Sequence, residues 1–218
     1  MSDTKFARRR AACPGSIFLR PNGVIMRTLM RTITRLALLL LAAPLTVLYA
    51  QPSTGPVIKT GGAVFDVPNP TFQTPRDHDY NVVFEVSRGV EMPAAGLPTP
   101  SVALAPNEQL NTMARFLNMH ARAGVPRERV KLAAVVHGTA GKDLLDNETF
   151  RARYGTDNPS GPLIQELLNA GVRIILCGQT SMGRDVPRDK LIPGVQLALS
   201  AMTAISVLQA EGYQLNPW

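Results

Sequence analysis

The chain has 218 residues, 45% of them hydrophobic and 6% aromatic, and carries 23 Lys and Arg against 16 Asp and Glu for a net charge of +7. All of that excess lies in the first fifty residues, where eight basic side chains (Lys5, Arg8, Arg9, Arg10, Arg20, Arg27, Arg31 and Arg35) stand against Asp3 alone. The remainder is neutral and has no run of cations to neutralise phosphates, which excludes a nucleic-acid partner, and its single cysteine excludes an internal disulfide framework.

The N-terminal segment reads as a targeting signal. Arg27, Arg31 and Arg35 precede an apolar stretch from Leu36 to Leu48, followed by Tyr49-Ala50-Gln51. A basic start, a short apolar core and a small residue at the cut describe a secretory leader, with cleavage expected after Ala50. Pro44 interrupts the stretch, which falls short of the roughly 20 residues that span a bilayer, so no permanent membrane span is expected once the leader is cut. Met26 and Met30 each open a more ordinary leader than Met1, so residues 1–25 read as an over-extended start. Cleavage removes Cys13 and leaves a periplasmic or secreted protein with one thiol. Residues 51–78, with five prolines and three glycines, read as an extended arm over the domain or a linker to it.

The domain is expected over residues 79–218. Tyr80 to Val86 predicts a first strand, broken by Ser87-Arg88-Gly89. After a loop from Pro93 to Pro100, Pro106 opens a helix on which Leu110, Met113, Ala114, Leu117 and Ala121 repeat at helical spacing, and Gly124 ends it. Val130 to Val136 is a second strand, apolar on both faces as a buried parallel strand should be. Lys142 to Arg153 reads as a polar helix, and Asp157-Asn158-Pro159 must turn. Ser160 is expected to cap a helix with Leu163, Ile164, Leu167 and Leu168 on one face. Val172 to Leu176 is a third strand, Gly194 to Leu199 a fourth, and Ser200 caps a last helix through Glu211. Tyr213 to Leu215 can add an edge strand. This alternation predicts an α/β fold, a single three-layer domain around a small, mostly parallel sheet of about five strands.

Cys177 stands where the third strand stops, followed by Gly178-Gln179-Thr180-Ser181. In open α/β sheets the carboxyl edge is where ligands and reactive groups collect. Thr180 and Ser181 are able to cap a short helix there, whose amides would favour a thiolate. A lone thiol reads three ways: a nucleophile or sulfur carrier, a redox sensor that bridges to another chain, or an inert buried residue in a binding module. His137 ends the second strand at the same edge and is the leading candidate to share the thiol proton, with satisfaction of a backbone group beside Gly138 as its other reading. Gly138, Asn158, Gly178, Gln179 and Thr180 are the candidate pocket residues around this pair.

Four segments together resemble a known family: Val135-Val136-His137-Gly138, Tyr154 to Pro159, Leu176-Cys177-Gly178-Gln179, and Ile192-Pro193-Gly194-Val195 through Gln209 to Tyr213. In order and spacing they look like the DsrE/DsrF-like sulfur-relay family over about residues 79–215. The resemblance implies a small parallel α/β sheet that assembles into oligomers, and a persulfide carried on a cysteine that matches Cys177. A homo-oligomer with a sulfur-donor or sulfur-acceptor protein as partner is therefore expected. The exposed Met202, Thr203 and Val207 of the last helix point the same way.

Other signals carry less. His78 and His120 have no ligand spacing with the cysteine, so neither a metal nor a cofactor is expected. Gly138 to Gly141 lacks the pattern of a nucleotide loop. Arg184, Arg188 and Lys190 form a local cationic group able to attract an anionic sulfur species, with a solvated face as the plainer reading.

Overall fold

The computed structural model describes residues 51–92 and 104–217, which leaves the expected leader and the Pro93–Pro100 loop outside the described residues. Strands β1 (Tyr80–Val86), β2 (Val130–Val136), β3 (Arg173–Cys177), β4 (Gln196–Ala198) and β5 (Gln214–Asn216) form one sheet in the order β4-β3-β2-β1-β5. Every neighbouring pair is parallel. The helices are α1 (Glu108–Arg122), α2 (Asn147–Tyr154), α3 (Gly161–Asn169), α4 (Gly178–Gly183) and α5 (Ala201–Ala210).

Alternation along each strand sorts the side chains into two cores. Phe84, Val86, Leu132, Ala134, Val136, Ile174 and Leu176 pack with Leu110, Met113, Leu117, Phe150, Leu163, Ile164 and Leu167 from α1, α2 and α3. Val83, Ala133, Val135 and Ile175 point the other way, against Ala204 and Leu208 of α5. Among the described residues the result is three layers, with one face of the sheet thickly covered and the other covered by α5. Each fully buried Leu, Ile or Phe contributes roughly 2 kcal/mol of apolar burial, so the first core dominates the stability.

Several local details differ from the sequence expectations. Lys142 to Arg153 is not one helix: a 3-10 turn over Gly138–Leu144 precedes α2, whose N-cap Asp146 accepts from the Thr149 amide at 2.7 Å. The break follows from Asp143, whose side chain is 1% exposed and holds Lys142 Nζ (2.7 Å), the Val90 amide (2.9 Å) and Asn107 Nδ2 (2.8 Å). α1 starts after Asn107, whose Oδ1 accepts from the Gln109 and Leu110 amides. Ser160 sits at the N-cap of α3 but its hydroxyl accepts from the Asn107 amide at 2.9 Å, tying two helix starts together.

The proline-rich arm is docked. Asn118, fully buried in α1, accepts from the Val57 and Ile58 amides and donates to the Ile58 and Gly62 carbonyls, while Glu166 on α3 accepts from the Lys59 and Thr60 amides at 2.8 Å. Ile58 is buried with the first core. The arm is therefore a strap over α1 and α3.

Candidate functional site

Cys177 is the last residue of β3 and the N-cap of α4, with an extended backbone at φ −65° and ψ 122°. The residues Cys177 to Ser181 suggest a turn with Thr180 or Ser181 as the cap of a following helix; the helix instead begins at once, with Thr180 inside its first turn. The sulfur thus faces the amides of Gln179 and Thr180. Parallel pairing of Cys177 with Ala198 brings the start of α5 alongside, and the Ala201 amide faces the sulfur as well. Ser200 fixes that second helix start, its Oγ accepting from the Thr203 amide at 3.0 Å.

Burial pushes the Cys177 thiol up; the amides of Thr180 and Ala201, the Thr180 hydroxyl and the Gln179 amide push it down by more in sum, so it lies below the ordinary cysteine value. These contacts are looser than the oxygen caps of α1 and α5, and no cap hydrogen bond of ordinary geometry forms at Cys177. Their effect is electrostatic, because aligned helix amides favour a thiolate. Thr180 Oγ1 accepts from the Gly138 amide at 3.1 Å, which leaves the hydroxyl hydrogen to face the sulfur.

The residue is 5% exposed, but the cover is thin: Leu199 and Met202, which flank the Ser200–Ala201 step, are 74% and 77% exposed. The sulfur lies just beneath the carboxyl edge of the sheet rather than in the main core, whose members do not include it. A shallow, amide-faced thiol can act as a nucleophile toward a small or mobile electrophilic sulfur.

Of the expected pocket residues, Gly138, Gly178, Gln179 and Thr180 gather at Cys177. Gly178 passes under β4, and Gln179 Nε2 donates to the Leu199 carbonyl at 3.3 Å, holding the loop before α5. His137 follows β2 at the same edge, and its Nε2 hydrogen-bonds to Glu85 Oε1 at 2.8 Å. The groups acting on the sulfur are the amides and the Thr180 hydroxyl. Asn158 lies elsewhere. Its Nδ2 donates to the Asp143 and Leu145 carbonyls and its Oδ1 accepts from the Ser160 amide, and it borders a surface cavity with Asp146, Asn147 and Ile192 that Cys177 does not line.

Two contributors were missed in the sequence. The Ala201 amide reaches the sulfur only through the β3–β4 pairing, although the Ser200 cap signalled a helix start there. Glu85, a carboxylate between Phe84 and Val86 near the end of β1, was the visible signal for a partner to His137. Arg184 and Lys190 are exposed. Among the described residues, no group of three or more His, Cys, Asp or Glu side chains is placed to hold a metal, and no helix is long and apolar enough to cross a membrane.

Comparison with known proteins adds a family. A family model described as the DsrE/DsrF-like family matches residues 101–217. No curated protein matches the chain. Among solved structures, a protein of unknown function, MTH1491, from Methanobacterium thermoautotrophicum is 19% identical with a TM-score of 0.43, over 64% of this chain and 100% of that one. The ychN protein from E. coli is 13% identical with a TM-score of 0.43, over 64% of this chain and 99% of that one.

Proposed function

This chain belongs to the DsrE/DsrF-like family, and from that premise we propose that it is an exported sulfur carrier that holds sulfane sulfur as a persulfide on Cys177 and passes it to a partner by thiol exchange. The family is generally one of sulfur relay. The observation that carries the finer reading is the placement of the Cys177 sulfur between the starts of α4 and α5, with its thiol held below the ordinary value. A thiolate takes up sulfane sulfur, and the same amides stabilise the persulfide anion that hands it on.

Export rests on the leader, with its Arg27, Arg31 and Arg35 ahead of the Leu36–Leu48 stretch. Assembly into a homo-oligomer is supported by apolar side chains on and around α5 and the face it covers: Leu199, Met202, Val207 and Leu215 are each more than 40% exposed. A second copy would cover them.

The test is transfer. Protein loaded with a hydropersulfide and freed of excess donor is mixed with an acceptor thiol, and the sulfur released to the acceptor is followed. Release from the wild type and none from Cys177→Ser is the expected result; equal release from both ends the proposal.

A further inference from the structure

We infer that His137 is the general acid for the leaving sulfur of a hydropersulfide donor, and that Glu85 is the positioning residue that aims its ring. The inference rests on the reading of Cys177 as a sulfur acceptor and assigns that site its donor class and the route of its proton.

The sheet places the three groups together. Val83 and Val135 point to the α5 face while Phe84, Val86, Val136 and Leu176 point to the other, so alternation puts Glu85, His137 and Cys177 on the α5 face. Glu85 lies one residue before the end of β1, His137 directly follows β2 and Cys177 ends β3, and these three strands are neighbours in the sheet. Glu85 pairs in register with Val135, two residues before His137. The 2.8 Å bond from Glu85 Oε1 to His137 Nε2 therefore draws the ring toward β1 and away from β3.

That lean separates two roles. Ionisation of Cys177 is already provided for by the Gln179, Thr180 and Ala201 amides and the Thr180 hydroxyl. What these groups do not supply is a proton for the thiolate that departs. Displacement at sulfur is in line, so with a sulfur–sulfur bond near 2.05 Å the leaving sulfur stands roughly 4 Å beyond the attacking one. Adjacent strands are about 4.8 Å apart, so an imidazole one strand over is placed for the leaving sulfur of a donor lying across the face toward β1. The pair also has little electrostatic competition. α4, α5, β4 and β5 carry no titratable side chain besides the cysteine at the head of α4, and Lys131, Arg173 and Tyr213 stand at the opposite end of the strands.

The step balances without an oxidant. The Cys177 thiolate attacks the outer sulfur of R–S–SH, a new sulfur–sulfur bond forms to Cys177, and the donor's own sulfur–sulfur bond breaks. The leaving R–S⁻ takes the proton of the His137 imidazolium, giving Cys177–S–SH, R–SH and neutral imidazole. A thiosulfonate donor delivers the same sulfur but departs as a sulfinate, a weak base that needs no proton.

Loading rates are compared for wild type, His137→Asn and Glu85→Gln with two probes, cysteine hydropersulfide and benzenethiosulfonate. With the hydropersulfide, His137→Asn should be about a hundredfold slower and Glu85→Gln about tenfold slower, in the range of general acid catalysis. With benzenethiosulfonate both should fall within about threefold of wild type, a selectivity that a merely structural role cannot produce. Equal losses with both donors, or no loss with the hydropersulfide, overturn the assignment. If the wild type loads from neither donor, the sulfur-acceptor reading fails and this assignment with it.

Discussion

The carbonyl oxygen of Ala198 lies 2.5 Å from where a Cβ on Gly178 would stand. A real side chain at 178 has no room, and the atom it would strike is backbone, in the strand that leads to Ser200 and the start of α5. Only a hydrogen at this position lets β4 approach closely enough for the Ala201 amide to face the sulfur. Gly178→Ala should therefore lose about 1–3 kcal/mol to overpacking and also raise the thiol toward its ordinary value. Thermal unfolding reads the first effect and the pH dependence of alkylation the second. A variant that unfolds earlier with an unchanged alkylation profile would detach α5 from the site.

Thr180→Val tests the hydroxyl without changing shape. It removes one donor to the sulfur and leaves the Gly138 amide without its partner, at a cost of about 1–3 kcal/mol. Alkylation by iodoacetamide at neutral pH should slow, because less thiolate is present. Thr180→Ser keeps the hydroxyl and should stay near wild type in both respects. Equal rates for the Val and Ser variants would show that the hydroxyl does not act on Cys177.

The depressed thiol makes stability depend on pH, with a defined sign. A thiol that ionises more readily folded than unfolded favours the folded state fully above its unfolded value of about 8.5, and the gain disappears as pH falls through the folded value. As pH rises toward about 9 the wild type should therefore gain stability over Cys177→Ser, whose hydroxyl does not titrate there. Urea unfolding of both proteins at each pH measures the difference. Parallel curves would mean that the amides leave the thiol unshifted.

Asn118 anchors the strap. Asn118→Ala leaves the Val57 and Ile58 amides and the Gly62 carbonyl without these partners at a buried contact, the Ile58 carbonyl keeping only the Gly55 amide, and should cost about 2–4 kcal/mol. Limited proteolysis should then cut within residues 55–64 while β1 to β5 stay protected. Resistance equal to wild type would show that Ile58 burial and the Glu166 bonds hold the strap unaided.

Much of the fold was legible because its signals are local. The apolar strands, the stripe from Leu110 to Leu117, and Ser200 ahead of Ala201 are patterns within a dozen residues, and Cys177 was visible as the residue ending an apolar run. What escaped depends on distant partners. Asp143 breaks the expected Lys142–Arg153 helix because Val90 and Asn107 claim its carboxylate, and neither is near it in sequence. Asn118 looks like a polar residue on an exposed helix side until the strap is laid on it. At the site, the Ala201 amide and the Glu85–His137 pair are products of strand order, which periodicity cannot supply. Asn158 was expected near the cysteine from its turn, yet its amide is committed to the Asp143 and Leu145 carbonyls.

All of the proposed chemistry requires that Cys177 accept sulfane sulfur. Intact-mass measurement after brief incubation with a hydropersulfide, followed by blocking of exposed thiols, reads this directly. The wild type should gain the mass of one sulfur atom, which a reducing thiol removes and which Cys177→Ser does not acquire. A wild-type mass that stays unchanged, or an equal gain in Cys177→Ser, would contradict it.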